Sequence, residues 1–227
     1  MAQLLFEIGC EEIPARFMAP ALAPLHEMFV ALCRDHRIPL EGARTLGTPR
    51  RFVLIAEGLG TKQDDLEEER TGPPVRAAFR DGEPTKAALG FARGQGVEVK
   101  DLYTVETPKG EYVAAKVFES GAPTEELLPG ILEQLIQGID FPKSMRWASG
   151  RTTFARPVRW LLALFQGEVV PVSFAGVTSQ NVTYGHRFAA PQAIEVQGPQ
   201  DYLKRLDAAH VTVDPAIRRT TIEELLA

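Results

Sequence analysis

The sequence has few of the features that mark secreted, membrane-spanning or disulfide-stabilised proteins. Only two of its 227 residues are cysteine, Cys10 and Cys33, and their spacing supplies neither a disulfide framework nor a metal site. We expect both thiols to be reduced and buried. No apolar run approaches the roughly 20 residues that cross a bilayer, and glutamates interrupt the apolar start of the chain too early for a secretory signal. The sequence therefore predicts a cytoplasmic protein with no membrane partner.

The chain also lacks the excess of positive charge that a general polyanion binder carries. Its formal net charge is −5, while 44% of its residues are hydrophobic and 24% charged, values that are ordinary for a globular protein. A phosphate-binding loop is missing as well, because Gly90, Gly94 and Gly96 follow a predicted helix instead of opening one. A nucleotide-cradling fold is therefore not indicated.

Hydrophobic periodicity predicts an α+β fold, with mixed, largely antiparallel sheets and packed helices in two subdomains. The first predicted helix follows a strand over residues 3–9 and continues to about residue 36. Pro20 and Pro24 lie inside it, so we expect irregular first turns or two separate pieces. The other main predicted elements are strands at 43–48, 51–59 and 158–165, a hairpin over 102–118, and helices at 84–94, 124–137, 199–209 and 215–226.

An acidic run marks the clearest internal boundary. Five carboxylates lie within residues 64–69 and are followed by Thr71-Gly72-Pro73-Pro74, a composition that predicts a loop or a long ribbon. We therefore expect an N-terminal α+β subdomain over residues 1–61, an acidic linker over 62–75, a central α+β subdomain over 76–198, and the start of a helical region over 199–227.

One stretch reverses the acidic character of the chain. Residues 141–160 contain both tryptophans and no acidic residue. Their cations are Lys143, Arg146, Arg151, Arg156 and Arg159, and their large aromatic residues are Phe141, Trp147, Phe154 and Trp160. Two interpretations stay open: the aromatic side chains form core and the arginines pair with carboxylates of the fold, or the stretch binds nucleic acid through its phosphates and bases.

A second, weaker set of candidates lies outside that stretch. Arg50 and Arg51 precede a predicted strand, where they either contact phosphate or protect a solvated sheet edge. His186, beside Arg187, is either a ligand-binding or catalytic group or a hydrogen-bonded structural one. Glu11 and Glu12 either cap the first helix or form a pair of acid–base carboxylates.

Several segments, in order along the chain, resemble the beginning of the β subunit of the bacterial heterotetrameric glycyl-tRNA synthetase. Together they reach to about residue 190. They are LLFEIGCEEIPA at 4–15, TPRR at 48–51, TGPP at 71–74, GFARGQG at 90–96, FPKSMRW at 141–147, FARPVRWLLAL at 154–164 and GHRF at 185–188. Members of that family are much longer, so the resemblance implies that this chain corresponds to their N-terminal part.

The resemblance implies a division of labour between two subunits. In that family the α subunit makes glycyl-adenylate from glycine and ATP, using Mg, whereas the β subunit serves tRNA recognition and assembly of an α2β2 enzyme. It implies that this part holds no catalytic site, cofactor or metal. Its partners would be the α subunit, tRNA(Gly) and the remainder of β. The middle region resembles, more loosely, the editing-like domain of the phenylalanine enzyme's β subunit.

Three functional hypotheses follow. The first is an RNA-contacting module, with Lys143, Arg146, Trp147, Arg151, Arg156, Arg159, Arg50, Arg51, His186 and Arg187 as the RNA-binding residues. The second is a structural module that docks onto the α subunit through helix 124–137 or the N-terminal helix, with the arginines as internal struts. The third is an independent hydrolase or an editing enzyme that uses Glu11, Glu12 or His186. Editing is less needed for glycine, because a small pocket excludes larger side chains.

Overall fold

The computed structural model describes residues 2–147 and 152–227. The strands are β1 Ala2–Cys10, β2 Gly42–Thr48, β3 Arg51–Leu59, β4 Leu66–Pro74, β5 Phe79–Arg80, β6 Glu83–Pro84, β7 Tyr103–Thr107, β8 Gly110–Glu119, β9 Met145–Trp147, β10 Thr152–Phe154, β11 Val158–Phe165, β12 Glu168–Val169, β13 Ser173–Phe174, β14 Val177–Gln180, β15 Val182–Tyr184 and β16 Ala193–Glu195. The helices are α1 Ala15–Asp35, α2 Val75–Ala78, α3 Lys86–Gln95, α4 Thr124–Gly138, α5 Pro199–Ala208 and α6 Pro215–Leu226, with a 3₁₀ turn at Val99–Asp101. The predicted α+β class is confirmed.

The chain divides into two compact units, one formed by residues up to 63 together with 122–227, the other by residues 64–121. This division differs from the predicted boundaries, because the predicted central subdomain over 76–198 is split between the two units. The physical reason is strand pairing: β11 lies antiparallel to β1, with Phe6 opposite Ala163. Such a pairing joins residues more than 150 positions apart, and local composition does not reveal it.

The larger unit is built around β1, which lies between β3 and β11. Within the described residues the sheet has the order β13-β14-β11-β1-β3-β2, with β12 paired to β11. Successive side chains of a strand point to opposite faces. In β1, Leu4, Phe6 and Ile8 therefore face one side, while Leu5, Glu7 and Gly9 face the other.

Helices cover both faces of this sheet. The apolar residues of α1 and α4, including Phe29 and Leu132, pack with Phe6 and its neighbours into the larger core. On the opposite face, Tyr202 and Leu206 of α5 pack with Leu5. Burying a Leu, Ile or Phe side chain contributes about 1.5–3 kcal/mol, so these two cores hold the sheet in place. The alternation in β1 also directs Glu7 into the interior beneath α5.

The first helix is continuous, and the prediction of irregular turns or two pieces was wrong. Both Pro20 and Pro24 are exposed, whereas Phe17, Ala21 and Leu25 are buried. A proline removes one backbone hydrogen bond and usually bends a helix. Here water can serve the released carbonyls, while the buried face stays packed on the sheet.

The smaller unit contains the acidic run, which forms strand β4 instead of the predicted linker. Strand β4 pairs with β8 at the edge of a three-stranded sheet of order β4-β8-β7. Its carboxylates point to solvent or to nearby polar groups: Glu67 lies 2.8 Å from Lys116 Nζ, and Glu69 accepts a 2.5 Å hydrogen bond from the Tyr103 hydroxyl. An edge strand tolerates this composition because charge opposes further pairing.

Candidate nucleic-acid interface

Three turns of the larger unit meet where β1 ends. The backbone N–H of Cys10 donates to Arg50 O at 2.8 Å, and that of Ile13 donates to Pro49 O at 2.7 Å. Between them, the N–H of Glu11 donates to Pro157 O at 3.0 Å. The segment after β1 therefore joins the turn at 48–51 to the turn at 155–157, and fixes the arginines of both turns at the same end of the sheet.

Three arginines from separate segments surround one surface cavity there. Arg50, Arg159 and Arg187 line a cavity of about 270 Å³, whose other walls are Trp160, Tyr184, Gly185 and Pro191. We call this set of three side chains the arginine triad. Arg159 and Arg187 are exposed and Arg50 is half-buried. The tertiary fold thus brings together cations that are up to 137 positions apart in the sequence.

A second cavity, of about 330 Å³, adjoins the first and shares Arg50, Gly185 and Arg187 with it. Its further lining includes Glu12 and Phe188. Phe188 is 81% exposed, so its ring is open to solvent. The two cavities form a continuous surface that offers cations, one carboxylate and an open aromatic ring.

Two carboxylates partly neutralise the arginine triad. Glu12 Oε1 lies 3.2 Å from Arg187 Nη1, and Glu11 Oε1 lies 3.4 Å from Arg159 Nε. Surface ion pairs of this kind contribute about 0–1 kcal/mol, so an anionic ligand can displace them at little cost. Within the part of the chain that the structure describes, Arg50 has no carboxylate partner.

The ring of Trp160 forms the floor beneath the triad. It packs on Gly9, where an added Cβ would overlap the indole ring. The guanidinium groups of Arg50 and Arg51 lie 5.7 and 5.6 Å from the centre of the ring, within the range of a cation–π interaction. The indole is therefore a rigid support that positions the guanidinium groups of both arginines.

Arg51 supports the site from inside the protein. Only 2% of its side chain is exposed, and Nη1 lies 3.4 Å from Oε1 of the fully buried Glu7. Its Nη2 donates to Tyr184 O at 2.9 Å, which holds the start of the loop that carries Arg187. The burial of Arg51 therefore contradicts the prediction that this residue contacts RNA, because no phosphate can reach its charge. Its position lets it orient the loop instead.

The Glu7 carboxylate is surrounded by donors. The Thr183 hydroxyl, the Trp160 indole N–H and the Tyr202 hydroxyl lie against it, although none of these contacts has the length and alignment of a standard hydrogen bond. Burial raises the pKa of Glu7, and the charge of Arg51 partly opposes this rise. Burial likewise raises the pKa of Tyr202 well above its ordinary value. The cluster is thus enclosed and polar, and Arg51 is its cation.

His186 holds the conformation of its own loop. Its Nδ1 accepts hydrogen bonds from the backbone N–H groups of Phe188, at 3.3 Å, and Ala189, at 3.1 Å. A ring nitrogen that accepts two hydrogen bonds carries no proton, so the proton of the neutral ring lies on Nε2. Glu11 and Glu12 pair with Arg159 and Arg187, and the hydrolase hypothesis stays a prediction.

The remaining cations of the basic stretch lie around a separate hairpin, β9–β10. Lys143, Arg146 and Arg156 are exposed, and Arg156 Nη1 contacts Met145 Sδ at 4.0 Å. Among the described residues no carboxylate pairs with Lys143 or Arg146. Arg151 and the Trp147 side chain lie outside the described residues. We call Lys143, Arg146 and Arg156 the hairpin cations.

The aromatic side chains of the basic stretch are core residues where the structure describes them. Phe141, Phe154 and Trp160 are all at least 93% buried. The Phe141 and Phe154 rings meet edge to face, with centroids 4.9 Å apart. Of the two interpretations left open for these three rings, core packing is the one that the structure supports, because β11 and the preceding segment turn them toward the sheet. The one exposed aromatic ring beside the triad, within the described residues, is Phe188.

Sequence reasoning missed Tyr184, Phe188 and Arg218. Arg218 Nη1 donates to the carbonyls of Gly47, Thr212 and Val213 at 2.7–3.0 Å, and burial lowers its pKa. Phe188 follows directly after His186 and Arg187 in the GHRF segment, so its aromatic type was a usable signal. The sequence around Arg218 contains no such signal, because the partners of this side chain are backbone carbonyls, one of them in a distant turn.

Two further observations on the described residues concern membrane-spanning helices and metal-binding clusters. No helix among them is both long enough and apolar enough to pass through a membrane. The described part of the chain also holds no cluster of three or more His, Cys, Asp or Glu side chains that could bind a metal ion.

Comparison with known proteins agrees with the motifs along the chain. A sequence model of the family described as glycyl-tRNA synthetase beta subunit matches residues 4–227. The glycine–tRNA ligase beta subunit of Moorella thermoacetica is 49% identical over 222 residues, which are 97% of this chain and 32% of that protein. The beta subunits of Syntrophotalea carbinolica and Anaeromyxobacter sp. are each 48% identical to this chain. In both comparisons the match covers 100% of this chain and 33% of the relative. The chain spans about a third of the length of these curated relatives, and it belongs to the glycyl-tRNA synthetase beta subunit family.

Proposed function

We propose that this chain supports the recognition of tRNA(Gly) and the assembly of an α2β2 glycine–tRNA ligase in the cytoplasm. In this proposal the α subunit binds ATP and Mg and carries out the adenylation, and the present chain contributes no catalytic group. The observation that carries the proposal is the arginine triad, in which Arg50, Arg159 and Arg187 from three separate segments line one cavity. Guanidinium groups suit the geometry and charge of phosphates.

The hairpin cations provide a second region of contact. Lys143 and Arg146 are exposed and have no carboxylate partner among the described residues, so their charge is available to an RNA backbone. Each phosphate that a protein neutralises releases counterions, which makes affinity fall as salt rises. The net charge of −5 restricts this attraction to local patches. The proposal is therefore one of oriented binding rather than general affinity for polyanions.

The test is the binding of labelled tRNA(Gly) across a salt series, with an unrelated tRNA as competitor. Replacing Arg50 and Arg187 by Gln should weaken binding and reduce the salt slope by about one to two units, since each phosphate contact contributes roughly 0.7–0.9. The Lys143→Gln/Arg146→Gln variant should act similarly. Arg34→Gln is the matched control, because this exposed arginine at the end of α1 lies outside both cavities. An unchanged slope in both double variants would remove these residues from the RNA surface.

A second candidate function is docking onto the α subunit without direct RNA contact. The apolar faces of α1 and α4 are buried in the core, so the expected docking through either helix has little exposed apolar surface to use, with Val30 the one large hydrophobic residue of these two helices that is exposed. Helix α6 offers one instead: Ile217, Ile222, Leu225 and Leu226 are all more than half exposed. Copurification with the α subunit in high salt, lost in an Ile217→Ser/Ile222→Ser variant, would support docking through α6.

A further inference from the structure

We propose that the two adjoining cavities form a subsite for one unpaired nucleotide, with its phosphate at Arg50 and Arg187 and its base on the Phe188 ring. This inference rests on the proposed function, because it names the kind of RNA element that the arginine triad would receive. It goes beyond that function by assigning a site for a single residue of RNA and by giving Phe188 a role.

Arg50 has the properties of an anion-binding side chain. Its guanidinium is half-buried, lies 5.7 Å from the Trp160 ring centroid, and has no carboxylate partner among the described residues. Its Nε is enclosed without a hydrogen-bond acceptor. An enclosed donor with no acceptor is unfavourable, so the contacts of Arg50 inside the protein leave this side chain incompletely satisfied. Arg50 lines both cavities, and its backbone is fixed in place because its carbonyl accepts the Cys10 N–H at 2.8 Å.

Phe188 is exposed on a loop that is held in one conformation. The loop is tied to α5 through a 2.9 Å bond from His186 N to Ala209 O, and it is closed by a 2.9 Å bond from Ala190 N to His186 O. Two further N–H groups donate to His186 Nδ1. The ring is therefore 81% exposed on a preorganised support, and a base that stacks on it would not have to order the loop first.

The lining of the cavities matches the mixed chemistry of a nucleotide. Arg50 and Arg187 can grip a phosphate, the Phe188 ring offers a stacking face, and the Arg187 guanidinium lies 5.4 Å from the ring centroid. The Glu12 carboxylate can accept from an exocyclic amino group, as carboxylates do from cytosine. An acidic peptide would use the arginines, but its carboxylates offer neither a base for the Phe188 ring nor an amino group for Glu12. The larger cavity, about 330 Å³, is within the range of small-ligand sites.

Fluorescence anisotropy with two probes tests this proposal on the 227-residue chain. One probe is a single-stranded RNA tetranucleotide and the other is a blunt RNA duplex of about twelve base pairs. Phe188→Ala should weaken tetranucleotide binding about tenfold, since stacking of a base on an aromatic residue contributes about 1–3 kcal/mol. It should leave duplex binding unchanged. Phe188→Trp should restore tetranucleotide binding, whereas Arg50→Gln should weaken it.

The controls separate this subsite from the proposed function and from a general charge effect. The hairpin variant Lys143→Gln/Arg146→Gln retains both cavities, so adding Phe188→Ala to that background should still weaken tetranucleotide binding about tenfold. Thermal unfolding should be the same for the wild type and Phe188→Ala, because the ring is mostly exposed.

Three results would overturn the subsite: equal tetranucleotide binding by Phe188→Ala and the wild type, equal losses for tetranucleotide and duplex, or displacement of the tetranucleotide by a poly-glutamate peptide at similar concentrations. Salt-dependent binding of intact tRNA(Gly) that Phe188→Ala leaves unchanged would also refute the subsite while sustaining the proposed function. Phe188-dependent tetranucleotide binding without binding of tRNA(Gly) would sustain the subsite and refute the proposed function.

Discussion

Glu7 and Arg51 form an ion pair inside the protein, with Oε1 and Nη1 3.4 Å apart and at most 2% of either side chain exposed. The pair connects the middle of the central strand β1 to the start of β3, and its arginine also holds Tyr184 O at 2.9 Å. The loop that carries Arg187 and Phe188 begins at that carbonyl. The geometry of the surface site therefore depends on a charge pair that no ligand touches.

Removing one partner of this pair should strongly destabilise the protein. We expect Arg51→Met or Glu7→Gln to lower the free energy of unfolding by about 3–5 kcal/mol, because each leaves the other group buried without its partner. Urea denaturation followed by circular dichroism measures this. The Arg34→Gln variant breaks an exposed ion pair with Asp35 and should cost no more than about 1 kcal/mol.

The double variant Glu7→Gln/Arg51→Met gives the coupling between the two groups. The double variant should lose less free energy of unfolding than the two single variants together, by about 1–3 kcal/mol. The reason is that the second substitution removes a group that the first had already left unpaired. Strict additivity would contradict a direct interaction between Glu7 and Arg51.

Gly9 should tolerate no side chain. A Cβ at this position would overlap the indole of Trp160, and overpacking of a core costs about 1–3 kcal/mol or more. We expect Gly9→Ala to lower the midpoint of urea unfolding and to weaken RNA binding, because Trp160 supports Arg50. Adding Trp160→Leu should recover part of the lost stability.

Gly130→Ala is the matched control for that substitution. Gly130 lies inside α4, and a Cβ there would meet no atom within 4 Å. Alanine is favoured over glycine in a helix interior by about 0.5–1 kcal/mol, so this variant should be slightly more stable than the wild type. Equal destabilisation by both substitutions would show that loss of backbone freedom, and not the Trp160 ring, decides the outcome at Gly9.

Stability should fall at alkaline pH. Burial raises the pKa of Cys10 to about 12 and that of Cys33 to about 12, from an ordinary value of 9.0. Above pH 9 the thiols of the unfolded chain ionise, while those of the folded chain stay protonated. The folded state then binds more protons, so the free energy of unfolding decreases as pH rises from about 9 toward about 12.

Cys10→Ala should reduce this pH dependence. Urea denaturation at about pH 8, 9 and 10 measures the slope for the wild type and the variant. Cys33→Ala, as the comparison, should reduce the slope as well, and the two substitutions together should reduce it most. A slope that is the same in the wild type and the double variant would show that other groups determine the alkaline response.

Neutralising Glu11 should strengthen RNA binding. The carboxylate lies 3.4 Å from Arg159 Nε in an exposed ion pair, and its removal frees the guanidinium while taking away a negative charge. We expect Glu11→Gln to raise the affinity for tRNA(Gly) about twofold to fivefold at low salt, with a smaller gain at high salt. Arg159→Gln should lower the affinity. Identical binding by both variants would place Arg159 outside the RNA surface.

Periodicity in the sequence was sufficient to predict most of the regular elements. Helix α4 and strand β11 lie where the apolar spacing put them, because each buries an apolar face, and the hairpin at 102–118 is present as β7 and β8. For the acidic run the sequence left a loop and a long ribbon open, and strand β4 is the ribbon, since its polar and charged residues suit the exposed edge of a sheet and not a core. The sequence also did not reveal where the chain divides into two units, because that division follows from the long-range pairing of β1 with β11.

The TPRR, FARPVRW and GHRF segments are enough to recognise the family and the residue types of the site. Which of their arginines can meet a ligand depends on how the chain folds. Arg50 and Arg51 are neighbours with the same charge, yet one lies in the turn before β3 and faces a cavity, while the other is the first residue of β3 and points beneath α5 toward Glu7. Side chains alternate between the two faces of a sheet, and which face is covered is set by helices distant in the sequence.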